Sequence, residues 1–244
     1  MSATTSFDFK NWLRSHPNPK MRSLFVTLKR VRAAGLPTPG IYNKGMYWLV
    51  TLTRNMIETL SRLFIYTPAF KGRLAKCGHS LYLYSGLPLI TGPMRIELGN
   101  DCRVSGHTTF SARTTPHPDP CVTPTLSVGS NVDIGWQVTI AVSERVEIHD
   151  NVRIAGRCQL FGYSGHPLNA KQRAAGDPDE PHRLGSIVLE KDVWLATGVT
   201  VQTGVTIGQG TIVAAGSVVT HDLPANVIAA GSPAKVVRHI DQTQ

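Results

Sequence analysis

The C-terminal half of the chain places a branched aliphatic residue at every sixth position. The members of this repeat are Leu189, Leu195, Val201, Ile207, Val213 and Val219. Four residues after each member stands a second small or apolar residue, from Val193 to Leu223. An α-helix has a period near 3.6 and a single strand a period of 2, so neither explains the spacing. A period of six is typical of a parallel β-helix, in which short strands and turns wind into a solenoid.

The same spacing extends upstream with interruptions, and we predict a solenoid domain over residues 80–244. Two stretches break the repeat. Residues 114–125 are rich in proline, and the insertion near residues 162–186 is rich in glycine, proline and charge. Long insertions at the edge of a regular scaffold are frequent sites of binding and catalysis. The ends of a solenoid need caps, and we expect residues 224–244 and an N-terminal helix to supply them.

The first 79 residues form a predicted N-terminal extension. Residues 1–45 are expected to be irregular or loosely helical, with a short helix near residues 8–13. Four prolines are expected to interrupt this region: Pro17, Pro19, Pro37 and Pro39.

An amphipathic helix is predicted near residues 46–66. Its apolar positions share one side and are Leu49, Leu52, Met56, Ile57, Leu60, Leu63 and Phe64. Its polar side carries Arg54, Asn55, Glu58 and Arg62, which exclude a membrane-spanning segment. The favoured interpretation is packing on the solenoid or on a neighbouring subunit. The alternative is a helix in a membrane interface, to which the nearby Lys71, Arg73 and Lys76 would contribute.

The charge composition indicates which classes of binding partner the protein can have. The 244 residues include 25 Lys and Arg against 16 Asp and Glu, a net charge of +9. This excess fits an ordinary basic surface, a phosphate-bearing ligand or an anionic membrane surface. It does not favour nucleic acid, because the basic residues do not alternate with aromatic ones and no nucleic-acid motif is present.

The cysteines indicate a reducing compartment. No CxxC pair occurs, and Cys102 and Cys158 fall at the small inward position of the repeat, which predicts buried thiols. The N-terminus has no apolar signal-peptide core. We therefore predict a cytoplasmic protein, with peripheral contact at the inner face of the membrane left open.

Among nine histidines, His166 is the one at the base of a long insertion. It lies between Gly165 and Pro167, which indicates a constrained and exposed backbone rather than a core position. A neutral imidazole can remove a proton from a hydroxyl group near neutral pH. His166 is therefore the candidate general base.

Four runs in the C-terminal half resemble the hexapeptide-repeat acyltransferases. They are KDVWLA at 191–196, GVTIG at 204–208, AAGSVVT at 214–220 and AAGSPAKVVR at 229–238. The similarity covers residues 95–240 and is greatest to the galactoside, maltose, nodulation-type and surface-polysaccharide O-acetyltransferases. It implies a left-handed parallel β-helix, a homotrimer, and acetyl-CoA bound in the groove between adjacent subunits.

The resemblance also implies roles for individual residues. His166 would deprotonate the acceptor hydroxyl, which attacks the thioester of acetyl-CoA directly while a backbone amide stabilises the oxyanion. The positions that match coenzyme A contacts are Trp194, Thr197, Ala215, Thr220, His221, Lys235 and Arg238. Trp194 would lie at the groove, and Thr197, Ala215 and Thr220 near the pantetheine arm. His221, Lys235 and Arg238 would lie near the phosphates. Ordinary outward packing remains the alternative for Trp194, and a generic basic surface for the last three.

The acceptor side departs from the family pattern. Gly135 stands near the position of an acceptor-binding asparagine in the galactoside enzymes, and Ser143 aligns with their aspartate. His221 also replaces a common lysine. The resemblance therefore implies the fold and the donor but not the acceptor.

These observations predict an acetyl-CoA-dependent O-acetyltransferase that acts on a sugar hydroxyl in lipopolysaccharide, capsule or exopolysaccharide biosynthesis. A different acceptor, such as an amino sugar, serine or an antibiotic, is an alternative. A metal-binding solenoid resembling γ-class carbonic anhydrase would need three converging histidines. His149 and His166 lie in suitable segments, but His107 and His117 are poor third members, so no metal is expected. A non-catalytic scaffold is the last alternative.

Overall fold

The computed structural model describes residues 9–35, 37–113, 119 and 121–241. Its α-helices are α1 (Phe9–Ser15), α2 (Pro19–Ala33), α3 (Gly40–Ser61), α4 (Thr67–Lys71) and α5 (Ala170–Ala175). A π-helical turn, Arg62–Tyr66, connects α3 to α4, and a 3-10 turn covers Pro181–Arg183.

Twenty short strands account for most of the remaining regular structure in the described residues. They are β1 (Lys76–Cys77), β2 (Tyr82–Tyr84), β3 (Leu89–Thr91), β4 (Arg95–Leu98), β5 (Arg103–Ser105), β6 (Thr109–Ala112), β7 (Thr125–Val128), β8 (Asp133–Ile134), β9 (Thr139–Val142), β10 (Arg145–Ile148), β11 (Arg153–Ile154), β12 (Gln159–Phe161), β13 (Ile187–Leu189), β14 (Trp194–Leu195), β15 (Thr200–Val201), β16 (Thr206–Ile207), β17 (Ile212–Val213), β18 (Val218–Val219), β19 (Val227–Gly231) and β20 (Ala234–His239).

The strands form three sheets, and from β1 to β18 every third strand along the chain pairs in parallel. The first sheet has the order β1-β4-β7-β10-β13-β16, and the second has the order β2-β5-β8-β11-β14-β17-β19-β20. The third has the order β3-β6-β9-β12-β15-β18. Each coil therefore contributes one strand to each sheet. The predicted left-handed parallel β-helix with N-terminal helices is confirmed.

The six-residue repeat supplies the core of the solenoid. In the third sheet Leu160 pairs with Val201, and Val201 pairs with Val219 in the next coil. All six members of the repeat are fully buried. Residues 18 apart therefore stack as aliphatic columns, which keep apolar side chains away from water at every coil.

The glycines between the aliphatic positions lie at the corners of the coils, where the backbone turns with a positive φ angle. Gly198, Gly204, Gly210 and Gly216 recur every six residues with φ between 68° and 76°. This left-handed conformation is accessible to glycine without steric cost and to asparagine or aspartate at a small one. Asp101, Asn131, Asn151 and Asp192 have the same backbone conformation in other turns.

The cysteine prediction agrees with the structure. Cys102 and Cys158 are fully buried, and all four cysteines are free thiols. Burial raises the pKa of both the Cys102 and the Cys158 thiol above its ordinary value. These side chains are therefore small apolar core residues rather than nucleophiles.

The N-terminal region is more helical than its prolines suggested. The fifteen-residue helix α2 begins at Pro19, so the prediction that this proline interrupts structure was wrong. Proline is favoured in the first helical turn because its missing N–H has no helical partner there. The Asn18 side chain caps the helix by accepting a hydrogen bond from the backbone N of Lys20, at 2.9 Å. Residues 1–8, which include part of the predicted short helix, lie outside the described residues.

The solenoid has a helical cap at its start. Strand β1 begins at Lys76, four residues before the predicted boundary at residue 80. Phe70 of α4 is buried and stacks on Phe110 with ring centroids 6.3 Å apart. At the other end β20 pairs with β19 in antiparallel fashion and ends the second sheet.

By its contacts the chain divides into two compact units, Met1–Thr53 and Arg54–Gln244. The contact boundary lies inside α3 rather than at residue 79. In the second unit Met56, Ile57 and Phe64 are exposed, as are Leu60 and Leu63 of the predicted amphipathic helix. Within the second unit the solenoid of the same chain therefore does not cover the apolar side, and packing on a neighbouring subunit stays a prediction. Across the described residues, no helix is long and apolar enough to cross a bilayer.

The core columns generate a stability prediction. Replacement of buried Leu160 in β12 by alanine leaves a cavity and should lower the free energy of unfolding by about 2–5 kcal/mol. Leu89 in β3 of the same sheet is 58% exposed. Leu89→Ala is the matched control and should cost less than about 0.5 kcal/mol. Urea unfolding followed by circular dichroism measures both, and equal losses would contradict the assignment of the core.

Candidate active site

The largest interruption of the solenoid separates β12 from β13. Leu160 pairs with Val201, and Leu189 pairs with Ile207. Val201 and Ile207 are six residues apart, whereas Leu160 and Leu189 are 29 apart, so the earlier coil contains 23 additional residues. These residues, 163–185, form what we call the His166 loop. The loop contains α5 and the 3-10 turn.

The two ends of the His166 loop meet at one corner. The backbone N–H of Gly185 donates to the carbonyl oxygen of Gly162 at 3.2 Å. The Ser143 hydroxyl lies 2.8 Å from the Gly162 oxygen and 3.0 Å from the Gly185 oxygen. Thr203 donates its hydroxyl hydrogen to Gly162 at 3.0 Å. Ser143, which aligns with an acceptor-side aspartate of the family, is buried and fixes the base of the loop in this chain.

A buried ion pair fastens the middle of the loop to the solenoid. Arg113, which follows β6, donates from Nε to Oδ1 of Asp179 at 2.9 Å, and its Nη2 lies 2.9 Å from the same oxygen. The two side chains are 6% and 3% exposed. The second carboxylate oxygen of Asp179 accepts a hydrogen bond from the backbone N of Gly165 at 3.1 Å. One charged pair therefore connects the scaffold to the residue before His166.

His166 itself lies on a short, constrained turn. Gly165 has φ of 80°, a conformation that favours glycine, and Pro167 is buried. The Ser164 hydroxyl donates to the backbone oxygen of His166 at 3.1 Å. The imidazole is exposed, and neither ring nitrogen has a hydrogen-bond partner within the described part of the chain. The backbone at His166 is therefore fixed by its neighbours, whereas the imidazole is free to contact a substrate.

The segment after His166 is also anchored. Glu180 accepts a hydrogen bond from the backbone N of Leu168 at 3.0 Å, and this bond lowers the pKa of the Glu180 carboxyl. Arg173 of α5 donates to the backbone oxygens of Pro167 and Leu168, both at 3.0 Å. The loop thus supports His166 from both sides.

Two of the predicted coenzyme A contacts lie on one row across the second sheet. Trp194 pairs with Ile212 in the next coil. The row continues through Ile228 to Arg238. Since neighbouring strands are about 4.8 Å apart, Trp194 and Arg238 are about 14 Å apart along this row. Both side chains are exposed, and Lys235 lies exposed in the same edge strand, β20.

The other predicted contacts lie at two corners. Thr197 and Ala215 occupy successive coils where the second and third sheets meet, and the N–H of Gly216 donates to the Thr197 oxygen at 2.9 Å. Thr220 and His221 follow β18 where the third sheet meets the first, with the Thr220 hydroxyl 2.9 Å from the Nδ1 of His221. The base of the His166 loop is at this second corner. Within one chain the His166 loop therefore leaves the solenoid at the corner of Thr220 and His221, two coils away from them, and not at that of Thr197 and Ala215.

Sequence reasoning did not find Arg113 and Asp179. They are 66 positions apart, each lies next to or within a break in the repeat, and neither belongs to a motif. The charged composition of the insertion was the available signal. It does not indicate which charge is buried.

The structure also bears on the metal alternative. Among the residues that the structure describes, no group of three His, Cys, Asp or Glu side chains is arranged to hold a metal ion. His107 instead contacts the Trp136 ring edge-on, and His149 lies 3.4 Å from a Glu147 carboxylate oxygen. His117 lies outside the described residues.

Comparison with known protein families gives a match in the coils that carry the clean repeat. A family model described as bacterial transferase hexapeptide (six repeats) matches residues 186–221. The predicted resemblance to the hexapeptide-repeat acyltransferases is confirmed. Galactoside O-acetyltransferase of Escherichia coli (strain K12) is 38% identical over 123 residues. That match covers 48% of this chain and 58% of the relative, so the chain spans less than two thirds of the relative's length.

Solved structures share the fold. A crystal structure of a variant of AntD, an N-acyltransferase from Bacillus cereus, in complex with dTDP and coenzyme A has a TM-score of 0.58 and 18% identity. The match covers 72% of this chain and 90% of that one. AntD in complex with dTDP and 3-hydroxybutyryl-CoA has a TM-score of 0.56 and 20% identity, covering 72% and 88%. At this identity the likeness shows the fold alone.

The buried ion pair generates a prediction about the loop. Asp179→Asn removes the charge that Arg113 pairs with, and breaking a buried pair costs about 3–5 kcal/mol. Local opening of the loop should then become at least about a hundredfold more frequent. Limited trypsin digestion measures this as faster cleavage after Lys171 and Arg173 of α5. Asp177→Asn, an exposed neighbour, is the matched control. Equal cleavage rates for the two variants would show that the pair does not hold the loop.

Proposed function

We propose that this protein is an acetyl-CoA-dependent O-acetyltransferase that acts on a sugar hydroxyl. The observation that carries the proposal is the exposed imidazole of His166 on a loop anchored by a buried ion pair. The similarity to galactoside O-acetyltransferase supports the choice of donor, acceptor class and reaction.

His166 acts as the general base in this proposal. Its neutral ring accepts the proton of the acceptor hydroxyl as the oxygen attacks the thioester carbonyl carbon of acetyl-CoA. A carbon–oxygen bond forms, and the resulting oxyanion is stabilised by a backbone N–H along the groove. The carbon–sulfur bond then breaks, and the protonated ring returns the proton to the departing thiolate. Both substrates react directly, without an acyl-enzyme.

The donor binds along the outer surface of the solenoid in this proposal. Trp194 contacts the coenzyme, and the backbone at the corner of Thr197 and Ala215 contacts the pantetheine arm. Thr220 contacts the arm from the other corner. The phosphates lie near His221, Lys235 and Arg238, where positive charge offsets theirs.

We also propose a homotrimer, as the family resemblance implies, and the separation of these residues supports a site shared between copies. His166 lies at the corner between the third and first sheets, and Thr197 at the corner between the second and third. One copy therefore supplies the base, and the neighbouring copy supplies the Thr197 corner. We further propose that the acceptor is a glycan of a surface polysaccharide and that the enzyme works in the cytoplasm. An amine acceptor is the competing outcome of an acceptor screen.

Substitution of His166 tests the mechanism. His166→Ala removes the base and should lower kcat by about 10²- to 10⁴-fold, with little change in the KM for acetyl-CoA. His182→Ala is the matched control, because His182 is an exposed histidine of the same loop. Release of free thiol in the presence of galactosides measures the rate, and light scattering measures the mass of each variant. Unchanged turnover in His166→Ala would remove this residue from the mechanism.

A further inference from the structure

The helix before the solenoid is amphipathic, and its apolar side has no cover in the described chain. At about 100° per residue, the predicted apolar positions occupy about 140° of the helix circumference. The predicted apolar positions from Leu49 to Phe64 are 49% to 74% exposed. Soluble proteins rarely leave a contiguous apolar surface of this kind open to water, so such surfaces usually mark a docking site.

The polar side of the same helix contacts the solenoid. The Glu58 carboxylate accepts a hydrogen bond from the backbone N of Ser85 at 3.0 Å. One turn later, the guanidinium of Arg62 lies 4.6 Å from the centre of the Tyr82 ring. These contacts occupy the side that an isolated helix would turn to water. The apolar side, with Met56, Ile57 and Leu60, is turned outward instead.

The N-terminal region also carries a large excess of positive charge. Residues 1–76 contain 13 of the 25 basic residues and two of the 16 acidic ones, a net charge of +11. Residues 77–244 contain 12 basic and 14 acidic residues, a net charge of −2. The whole excess of positive charge therefore lies in the part of the sequence that contains the exposed apolar helix. The predicted coenzyme A site does not account for it.

We propose that the N-terminal extension docks the protein on a membrane surface that carries anionic lipid headgroups. The apolar side of residues 46–66 enters the interface between headgroups and acyl chains, and basic residues contact the headgroups. Lys44 and Arg54 on α3 and Lys71 after it are among those residues. The helix lies in the interface rather than across the bilayer, since Arg54, Glu58 and Arg62 interrupt its hydrophobicity.

The alternative occupant of this face is a second copy of the chain. Charge favours the membrane, because two copies would bring together extensions that each carry +11, whereas anionic lipid attracts both the charge and the apolar side. The proposal does not rest on the acetyl-transfer activity. Lipid binding and turnover can therefore fail separately.

Vesicle flotation with the full chain tests the proposal. The protein should float with vesicles of phosphatidylcholine and phosphatidylglycerol, bind pure phosphatidylcholine vesicles at least about tenfold more weakly, and dissociate as salt is raised. Ile57→Gln combined with Leu60→Gln removes apolar contact without changing charge and should weaken binding at least about tenfold. Asn55→Gln is the matched control from the polar part of the same helix, and its binding should be unchanged.

Two outcomes would overturn the proposal. The first is the absence of binding to the anionic vesicles, or binding that the Ile57→Gln/Leu60→Gln variant retains in full. The second is a fall in the molecular mass of that variant in light scattering, which would assign the apolar side to contact between copies. Acetyl transfer to a water-soluble acceptor should be the same in the wild type and in both variants, so a loss of docking is separable from a loss of catalysis.

Discussion

The in-register stacking of aliphatic side chains inside the coils is the interaction on which the rest of this structure depends. Leu160, Val201 and Val219 form one such column, and each neighbour lies one coil away. A column of this kind requires the same six-residue spacing in every coil, so added residues can leave the solenoid only at its corners. The position of the His166 loop is a consequence of that requirement, as are the outward row of Trp194 and the corner of Thr197.

The buried pair of Arg113 and Asp179 gives the added residues a fixed structure. A loop of 23 residues without a core of its own would sample many conformations, and ordering it carries a large entropic cost. The ion pair and the hydrogen bond to Gly165 order the segment beside His166 without using the imidazole. The scaffold thus fixes the backbone of the candidate base and leaves its ring available. The same division holds at the N-terminal helix, where polar contacts attach the helix and the apolar side stays exposed.

Features that depend on a regular local spacing could be predicted from the sequence, whereas contacts between residues far apart in the sequence could not. The β-helix and the buried thiols of Cys102 and Cys158 were predictable, because the repeat places inward-facing residues at the same positions in every coil. The amphipathic helix was predictable as a helix, but periodicity does not say which side faces the solenoid, and on this chain the apolar side is exposed. The pairing of Arg113 with Asp179 and the cap formed by Phe70 join distant positions without a shared period, so spacing could not identify them.

In the proposed mechanism the regular coils bind the donor, whereas the His166 loop performs the chemistry. Removal of residues 163–185 restores the six-residue spacing between β12 and β13 and tests this claim directly. Isothermal titration calorimetry of the shortened chain with acetyl-CoA should give an unchanged Kd, and acetyl transfer should be absent. Retained transfer would contradict the account, as would loss of acetyl-CoA binding in a shortened chain whose circular dichroism spectrum and molecular mass show an intact assembled solenoid.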